Sequence, residues 1–222
     1  MKENNLSKLY KSRFNSIDEA NKIKVWEVLS KNFFQQYVKK EAKVLDIACG
    51  YGEFINSIKC KEKYAIDLNP ESKYFLSKEV KLIKDDVTNA IHILIDKEIK
   101  FDFIFCSNFL EHIPNKVNLE SFLKSLRNLL SDNGLLVIMG PNFKYSYKNY
   151  WDFFDHHIPL TDKSMEELLS LTNYQIIEKY PKFVPFSTKT KLPKMKIFVL
   201  IYLKLRFLWY FFGKQFLFIV KK

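Results

Sequence analysis

Acidic residues recur at the ends of short apolar segments within the first 90 residues of the chain. Asp46 ends the first segment, Asp67 ends the second 21 residues later, and Asp85 and Asp86 end the third. α/β proteins bind ligands at the carboxyl ends of their strands. A carboxylate about 20 residues beyond a glycine turn can accept hydrogen bonds from both hydroxyls of a ribose. The spacing therefore predicts a site for a ligand that contains a ribose.

A turn of small residues lies between the first of these segments and a periodic apolar stretch. Ala48, Gly50 and Gly52 keep side chains out of this turn, so a ligand can lie against bare backbone there. The flanking residues predict a buried strand before the turn and a helix after it. The free N–H groups of a helix start favour an anionic group at the same place. A turn with a purely structural role is the alternative.

Predicted strands and helices alternate through residue 140, which indicates a mostly parallel sheet with helices on both faces. The predicted strands lie at 43–47, 63–67, 80–87, 101–108, 135–140, 174–180 and 215–220, and the predicted helices at 17–40, from 54 to 58, and 119–130. Gly134 is expected to end the last of these helices in a left-handed cap. Residues 143–165 are expected to be irregular.

The predicted fold class is α/β, with a Rossmann-like seven-stranded, mostly parallel sheet and an antiparallel C-terminal strand. We expect a single domain over residues 1–222. Residues 1–40 would form an N-terminal lid and helix, residues 41–142 a cofactor-binding core, and residues 143–222 a substrate segment with the C-terminal strands.

The chain is basic, with 36 lysine and arginine residues against 25 acidic ones and a net charge of +11. Such a charge attracts acidic partners, but no nucleic-acid-binding motif accompanies it, so nucleic acid is not the predicted partner. Cys49, Cys60 and Cys106 are odd in number, which indicates reduced thiols in a cytosolic protein. The first residues lack the apolar stretch of a signal peptide, so a cytoplasmic location is expected.

The acids and the glycine turn together resemble the class I S-adenosylmethionine-dependent methyltransferases. That pattern has an acid and spaced glycines after the first strand, with Ala48 here at the first glycine position. A nicotinamide-binding unit is the alternative, but its third glycine would fall at the bulky Ile55. A second feature of the family is a strand that opens with Phe-Asp, here Phe101, and is followed by a Leu-Glu-His triplet, here residues 110–112.

The resemblance implies which residues contact S-adenosylmethionine. Asp67 would bind the ribose and Asp86 the adenine amino group, and Ser107 and Asn108 would lie near the methionine part. Arg13, in an N-terminal lid, is expected to pair with the carboxylate of the cofactor, because arginine binds carboxylates through two parallel hydrogen bonds; a solvated surface charge is the alternative. The whole implied set is Arg13, Asp46, Ala48, Cys49, Gly50, Gly52, Asp67, Leu68, Asp86, Val87, Ser107, Asn108 and His112. A packing or capping role is the alternative for His112.

Aromatic residues surround an Asp-His-His sequence at 155–157 in the predicted substrate segment. Two adjacent histidines in an extended segment point in different directions, so one of them faces the pocket. A neutral imidazole can take the proton of an acceptor hydroxyl as the methyl group is transferred. We therefore predict His157 as the catalytic base, with His156 as the next candidate and Asp155 fixing the tautomer. Histidines that only cap the loop are the alternative.

The same segment resembles that of a bacterial subgroup of these methyltransferases, which also carries Tyr-x-x-Arg-Phe near the N-terminus, here Tyr10, Arg13 and Phe14. Members of that subgroup look like enzymes of surface-glycan or lipid-modification clusters, so the expected acceptor is a small molecule, a sugar or a lipid-linked glycan. A non-catalytic S-adenosylmethionine-binding module and an RNA methyltransferase are the rival functions. A metal site formed by Asp152, Asp155, His156 and His157 is an alternative for this segment, but no metal is predicted because no helical or paired-finger spacing supports it.

Residues 195–212 are apolar on almost every side and are predicted to form one amphipathic helix. Two basic residues near its middle would cost about 2.5–3.5 kcal/mol each in a membrane span, so a span is not expected. The remaining alternatives are a core or lid element, a peripheral contact with anionic lipid at the inner face of the membrane, and a dimer surface.

Overall fold

The computed structural model describes residues 16–185 and 196–222. The predictions for Tyr10, Arg13 and Phe14 lie outside the described residues. The chain divides into two compact units, the first formed by Met1–Ala90 with Ser187–Arg206 and the second by Ile91–Phe186 with Phe207–Lys222.

The seven predicted strands are present in one sheet, so the fold-class prediction is confirmed. The strands are β1 (Lys43–Ile47), β2 (Glu62–Ile66), β3 (Val80–Ile83), β4 (Phe101–Ser107), β5 (Leu130–Pro141), β6 (Gln175–Tyr180) and β7 (Gln215–Lys221). Their order in the sheet is β3-β2-β1-β4-β5-β7-β6. β1, β2 and β3 pair in parallel, and so do β4 and β5. β7 is antiparallel to both β5 and β6, as predicted for the last strand.

The described helices connect these strands. They are α1 (Ser16–Asn32), α2 (Glu53–Ser57), α3 (Val87–Asp96), α4 (Lys116–Leu129), α5 (Phe143–Tyr150), α6 (Asp162–Leu171), α7 (Lys196–Lys204) and α8 (Phe207–Phe212), with short 3₁₀ turns at Phe34–Tyr37, Ser72–Tyr74 and Leu110–His112.

The core of the first unit consists of apolar side chains on β1 and β2 and the helices beside them. Val44, Leu45 and Ile47 of β1 are completely buried, as a parallel strand covered on both faces requires. α1 packs against α2 and α7. Ion pairs accompany this packing, from Lys22 to Glu53 at 2.7 Å and from Lys196 to Glu27 at 2.6 Å.

The prediction of one helix over residues 17–40 was wrong at its C-terminal end. α1 ends at Asn32, where the side-chain Nδ2 donates back to the Val28 carbonyl at 2.9 Å. The chain then turns so that the Phe34 ring is fully buried and meets Phe54 edge-on at 5.8 Å. Burial of this aromatic ring overrides the helical periodicity of the sequence.

Gly134 does not cap a helix. α4 ends at Leu129 and β5 begins at the next residue, so Gly134 lies within the strand. A Cβ atom at Gly134 would lie 2.8 Å from the carbonyl oxygen of Phe101. The glycine therefore permits a close backbone approach, at an irregularity where β4 and β5 shift register.

Three further predicted boundaries differ. Residues 143–150, predicted as irregular, form α5, because Asn142 accepts a hydrogen bond from the N–H of Lys144 and caps the helix. The third strand ends at Ile83, and Val87 begins α3. The helix predicted over 195–212 is two helices, α7 and α8, separated by Leu205 and Arg206. Within residues 16–185 and 196–222, no helix is long and apolar enough to cross a membrane.

Candidate cofactor site and histidine cluster

The predicted glycine turn joins β1 to α2 and has an unusual backbone. Ala48, Gly50 and Gly52 all have positive φ angles, of 52°, 58° and 74°. The turn closes on itself through a hydrogen bond from the Gly52 N–H to the Cys49 carbonyl at 2.9 Å. Left-handed conformations suit glycine and cost an alanine more. The small-residue pattern therefore reflects the conformation of the turn as well as the space it leaves.

Asp67, at the end of β2, holds this turn. Its Oδ2 accepts the N–H of Gly50 at 2.6 Å, and its Oδ1 accepts the N–H of Asn69 at 2.7 Å. Each carboxylate oxygen can accept more than one hydrogen bond, so these contacts leave acceptor capacity for a ligand. The predicted ribose-binding carboxylate is thus already positioned by two backbone groups.

Asp46 and Asp67 are both buried, and burial raises both pKa values. The pKa of Asp46 is well above its usual range, with Glu53 and Asp67 adding to the effect of burial. Burial raises the pKa of Asp67 to about 6, although backbone hydrogen bonds oppose the shift. Lys22, which pairs with Glu53 at 2.7 Å, opposes the rise in the pKa of Asp46 but does not outweigh the effect of burial. The chemistry of this acid set therefore fits a ligand that carries positive charge.

The other predicted cofactor residues of the first unit have separate local roles. Asp86 is exposed and accepts the N–H of Thr88 at 2.9 Å, which places it at the start of α3. Val87 is buried beside it, and Leu68 is partly exposed. Burial raises the pKa of Cys49 well above its usual range, so its sulfur remains a thiol.

Ser107 and Asn108 lie at the end of β4 in the second unit. Asn108 has a positive φ of 51°, and its N–H donates to the Met139 carbonyl at 2.8 Å. Its side-chain Nδ2 donates to the Ser107 hydroxyl at 2.9 Å. Asparagine is among the few residues that tolerate this conformation. The end of β4 is therefore a fixed polar turn.

His112, in the Leu-Glu-His triplet, is oriented by Asp155. The His112 Nδ1 lies 2.9 Å from the Asp155 carbonyl oxygen and 3.4 Å from the carboxylate Oδ2. A carbonyl oxygen only accepts hydrogen bonds, so Nδ1 must carry the proton. In the neutral ring, Nε2 then holds the lone pair. The contact thus selects the tautomer in which Nε2 can act as a base or as a ligand.

The two predicted catalytic histidines differ in environment. His156 is buried, with its ring stacked on Phe153 at 5.0 Å and edge-on to His112 at 5.1 Å. The side chain of His157 is exposed, and its backbone N–H donates to the Glu111 carbonyl at 2.7 Å. The two side chains are in different environments, as predicted for adjacent histidines. Asp155 was expected to orient one of them, and the structure shows it contacting His112.

Glu111 is a buried acid that the sequence analysis did not identify as a site residue. Burial raises the pKa of its carboxyl group, with Asp155 adding to the effect and His112 opposing it. Ligand atoms of Glu111, His112 and His156 lie within 4.8 Å of one another, so these three residues could hold a metal ion. The set shares only His156 with the metal alternative considered from the sequence. The Leu-Glu-His triplet was the available signal, but its proximity to residues 155–157 depends on tertiary structure.

A family model described as a methyltransferase domain matches residues 24–179. Among curated proteins, an uncharacterized protein of Methanocaldococcus jannaschii is 33% identical over 131 residues, which cover 58% of this chain and 54% of that protein. The chain thus spans about half the length of the curated relative that it matches.

Solved structures show the same fold. A S-adenosylmethionine-dependent methyltransferase from Archaeoglobus fulgidus superposes with a TM-score of 0.67 at 20% identity, over 96% of this chain and 98% of that chain. The N-methyltransferase NodS of Bradyrhizobium japonicum, in complex with S-adenosyl-L-homocysteine, gives a TM-score of 0.56 at 12% identity, over 92% and 86% of the two chains. These neighbours confirm the predicted fold, and the family model confirms the predicted methyltransferase domain. The chain belongs to the methyltransferase domain family.

Proposed function

We propose that the chain transfers a methyl group from S-adenosylmethionine to a hydroxyl oxygen of a sugar or a lipid-linked glycan. Family membership supports the methyl transfer. The observation that carries the choice of oxygen is the hydrogen bond between His112 Nδ1 and the Asp155 carbonyl at 2.9 Å. A hydroxyl is a weak nucleophile that gains from a base, and this contact leaves Nε2 available as one.

The residues of the first unit fit the cofactor. When bound, S-adenosylmethionine supplies a methyl group on a positively charged sulfur. Asp67 would accept hydrogen bonds from the ribose hydroxyls, and Asp86 would accept one from the adenine amino group. Burial raises the pKa of Asp46, and a cationic ligand beside it would oppose this rise and favour the carboxylate form. Arg13 is proposed to pair with the cofactor carboxylate, because arginine binds carboxylates bidentately.

The proton of the acceptor hydroxyl is assigned to His112. Nε2 of His112 would take this proton as the hydroxyl oxygen gains the methyl group and the carbon–sulfur bond of the donor breaks. The ring becomes an imidazolium whose Nδ1–H still donates to Asp155, and the nearby carboxylate Oδ2 at 3.4 Å stabilises the charge. General-base help of this kind is worth roughly 10²–10⁴ in rate.

His157 and His156 are the rival assignments for the base. His157 is exposed and therefore accessible to an acceptor, whereas His156 is enclosed by Phe153, Tyr150 and His112. The ring of His112 is oriented by a backbone carbonyl, which favours it over the other two. The glycan acceptor is supported by the resemblance of the segment 151–160 to the bacterial subgroup.

Transfer from tritiated-methyl S-adenosylmethionine tests the proposal. Nucleotide sugars, short polyprenyl-linked sugars and unfractionated RNA would be offered in parallel to the full chain. We expect label in a sugar-containing acceptor, at an alkali-stable ether linkage. Label in RNA would instead favour an RNA methyltransferase. Cofactor binding without transfer to any acceptor would favour a non-catalytic binding module.

Matched variants would then assign the base. We expect His112→Asn to lose most of the turnover while His157→Asn keeps it, with cofactor affinity unchanged in both. The reverse result would restore His157 as the base. Loss of cofactor affinity by His112→Asn would mean that this side chain contacts the cofactor, as first implied, and not the acceptor proton.

A further inference from the structure

The short helix α8 presents a row of aromatic side chains to solvent. Phe207, Tyr210 and Phe211 are 61%, 69% and 69% exposed, and Phe212 is also exposed. We refer to these four residues as the α8 face. Soluble proteins rarely expose contiguous apolar patches of this kind without a function in binding. The α8 face therefore needs an explanation that the methyl-transfer site does not supply.

The α8 face is held outward by firm packing on its other side. Trp209 is buried and meets the rings of Tyr180 and Phe183 edge-on, at 5.3 and 5.0 Å. The N–H of Gly213 donates to the Trp209 carbonyl at 2.8 Å, and a Cβ atom at Gly213 would lie 2.6 Å from that oxygen. The helix is thus anchored by one tryptophan and closed by a glycine. Its outward residues are exposed because the anchor fixes the direction of the helix.

Basic residues accompany the α8 face. The Lys182 Nζ donates to the Tyr210 carbonyl at 2.6 Å and lies 4.4 Å from the ring centroids of both Tyr145 and Tyr210. Lys214, two residues beyond the helix, is exposed. Lys182 thus puts an ammonium group beside two aromatic rings, which is the composition found where proteins contact the headgroup region of a bilayer.

The charge of the whole chain is concentrated in the same part of the sequence. Residues 179–222 contain ten lysines and one arginine and no acidic residue. Residues 1–178 contain 25 basic and 25 acidic residues, so they are neutral overall. The net charge of +11 therefore arises in the segment that carries α7 and α8. Lys179, Lys196 and Lys222 pair with acidic residues of the chain, and the remaining basic residues favour an anionic partner.

α7, in the first unit, also combines exposed apolar side chains with basic residues. None of its side chains is buried, and Ile197, Phe198 and Ile201 are exposed. Lys196 and Lys204 stand at its two ends. Exposed apolar side chains and basic residues thus occur together on two successive helices.

We propose that the α8 face docks on an anionic membrane surface, with its aromatic rings at the level of the lipid headgroups and its basic neighbours on the lipid phosphates. A second copy of the chain is a poorer occupant, because a symmetric interface would bring two surfaces of the same charge together. A nucleic acid would stack its bases on such rings, but the sequence shows no nucleic-acid-binding motif, so RNA binding is treated as an outcome of the test. The proposal does not depend on the identity of the methyl acceptor.

Vesicle co-sedimentation of the full chain is the test. Vesicles of phosphatidylcholine alone would be compared with vesicles that also contain phosphatidylglycerol, at low and at high salt. We expect binding to the anionic vesicles at low salt, weaker binding at high salt, and little binding to the neutral vesicles. Absence of binding to the anionic vesicles at low salt would overturn the proposal.

A double variant and a matched control locate the contact. Tyr210→Ser with Phe211→Ser should lower the vesicle partition coefficient by about tenfold or more, since apolar area no longer enters the interface. Phe154→Ser is the control, because Phe154 is 89% exposed in the same unit but away from α8 in sequence. All the replaced side chains are exposed, so circular dichroism should show intact folds. Equal effects of the control and the double variant would contradict the proposal.

The parent chain and the double variant also test two other partners for the α8 face, a second copy of the chain and an RNA. Sedimentation velocity would detect a dimer that the double variant abolishes, and a fluorescent RNA would detect salt-sensitive binding to nucleic acid. Either result, together with unchanged vesicle binding by the double variant, would overturn the membrane assignment of the α8 face. A monomer that binds anionic vesicles through Tyr210 and Phe211 would support it.

Discussion

The carboxylate of Asp67 accepts the backbone N–H of Gly50 at 2.6 Å, so the residue proposed to bind ribose also holds the glycine turn in place. The Asp67 side chain therefore has two roles, one in ligand binding and one in the local fold. The hydrogen bond joins the end of β2 to the turn after β1, and the turn keeps its left-handed conformation beside it. Cofactor affinity and the order of the turn are therefore expected to change together when Asp67 is altered.

Asp67→Ala is predicted to weaken S-adenosylmethionine binding by about 10- to 100-fold, because hydrogen bonds to a charged group are worth about 1.5–3 kcal/mol. The variant also leaves the N–H groups of Gly50 and Asn69 without their acceptor, so stability should fall as well. Calorimetric titration measures the affinity. Asp96→Ala, which removes an exposed carboxylate from α3, is the control and should bind as the parent does. An unchanged affinity of the Asp67 variant would contradict the ribose assignment.

The protein is predicted to lose stability as the pH rises from about 4 to about 6, because the pKa of Asp67 is about 6 when folded and near 3.8 when unfolded. Between these values the folded state holds a proton that the unfolded state releases. The stabilisation is therefore complete below the unfolded pKa and lost above the folded one. For Asp67 alone the change is at most about 3 kcal/mol. Burial also raises the pKa values of Asp46 and Glu111, which adds to the trend.

Denaturant unfolding across this pH range measures the effect. The lowered pKa values of Glu27, Glu62, Glu79 and Glu166 act in the opposite direction, but those side chains are in contact with water and contribute less. Stability that rises steadily from pH 4 to pH 6 would show that Asp67 ionises as an ordinary carboxylate.

Gly52→Ala is predicted to cost about 1–3 kcal/mol, since alanine is strained at a φ of 74° and its Cβ would lie 2.3 Å from the Leu76 Cδ2. Ala48→Gly is the matched comparison. It relieves the strain of a φ of 52° but gives the unfolded chain more freedom, so its stability should stay within about 1 kcal/mol of the parent. The denaturant midpoints of the two variants, compared with that of the parent, measure these changes in stability. A neutral Gly52→Ala would mean that the turn and Leu76 move at little cost.

His112→Asn is predicted to lower turnover by about 10²–10⁴, because the amide that replaces the imidazole cannot take the proton of the acceptor hydroxyl. Asp155→Asn should have a smaller effect, because its backbone carbonyl still orients His112 at 2.9 Å. Single-turnover rates of both variants and the parent, with saturating cofactor, are the measurement. A parent-like rate in His112→Asn would assign the proton to another group.

The strand–helix alternation and the acids at the strand ends were predictable from sequence, because parallel strands buried on both faces leave continuous apolar runs. Asp46 and Asp67 follow such runs, and the structure places both beside the glycine turn. The helix lengths were less predictable. Phe34 continues the helical period of α1, yet its burial against Phe54 ends the helix early.

The histidine cluster depended on contacts that no local pattern records. His112 and Asp155 are 43 residues apart, and only the folded second unit brings the ring to the carbonyl. The backbone carbonyl, rather than the side chain, makes the shorter contact, and every residue type has one. The role of Gly134 was also not predictable from local sequence. The residue is needed because the Phe101 carbonyl oxygen of the neighbouring strand comes too close for a Cβ atom, and it does not cap the preceding helix.

Calorimetric titration of the parent protein with S-adenosylmethionine, and then with S-adenosylhomocysteine, tests the central claim most directly. We predict one site per chain that binds both compounds, since the ribose, adenine and carboxylate groups are common to them. No detectable binding of either compound at high micromolar concentration would contradict the claim that this chain is a S-adenosylmethionine-dependent methyltransferase.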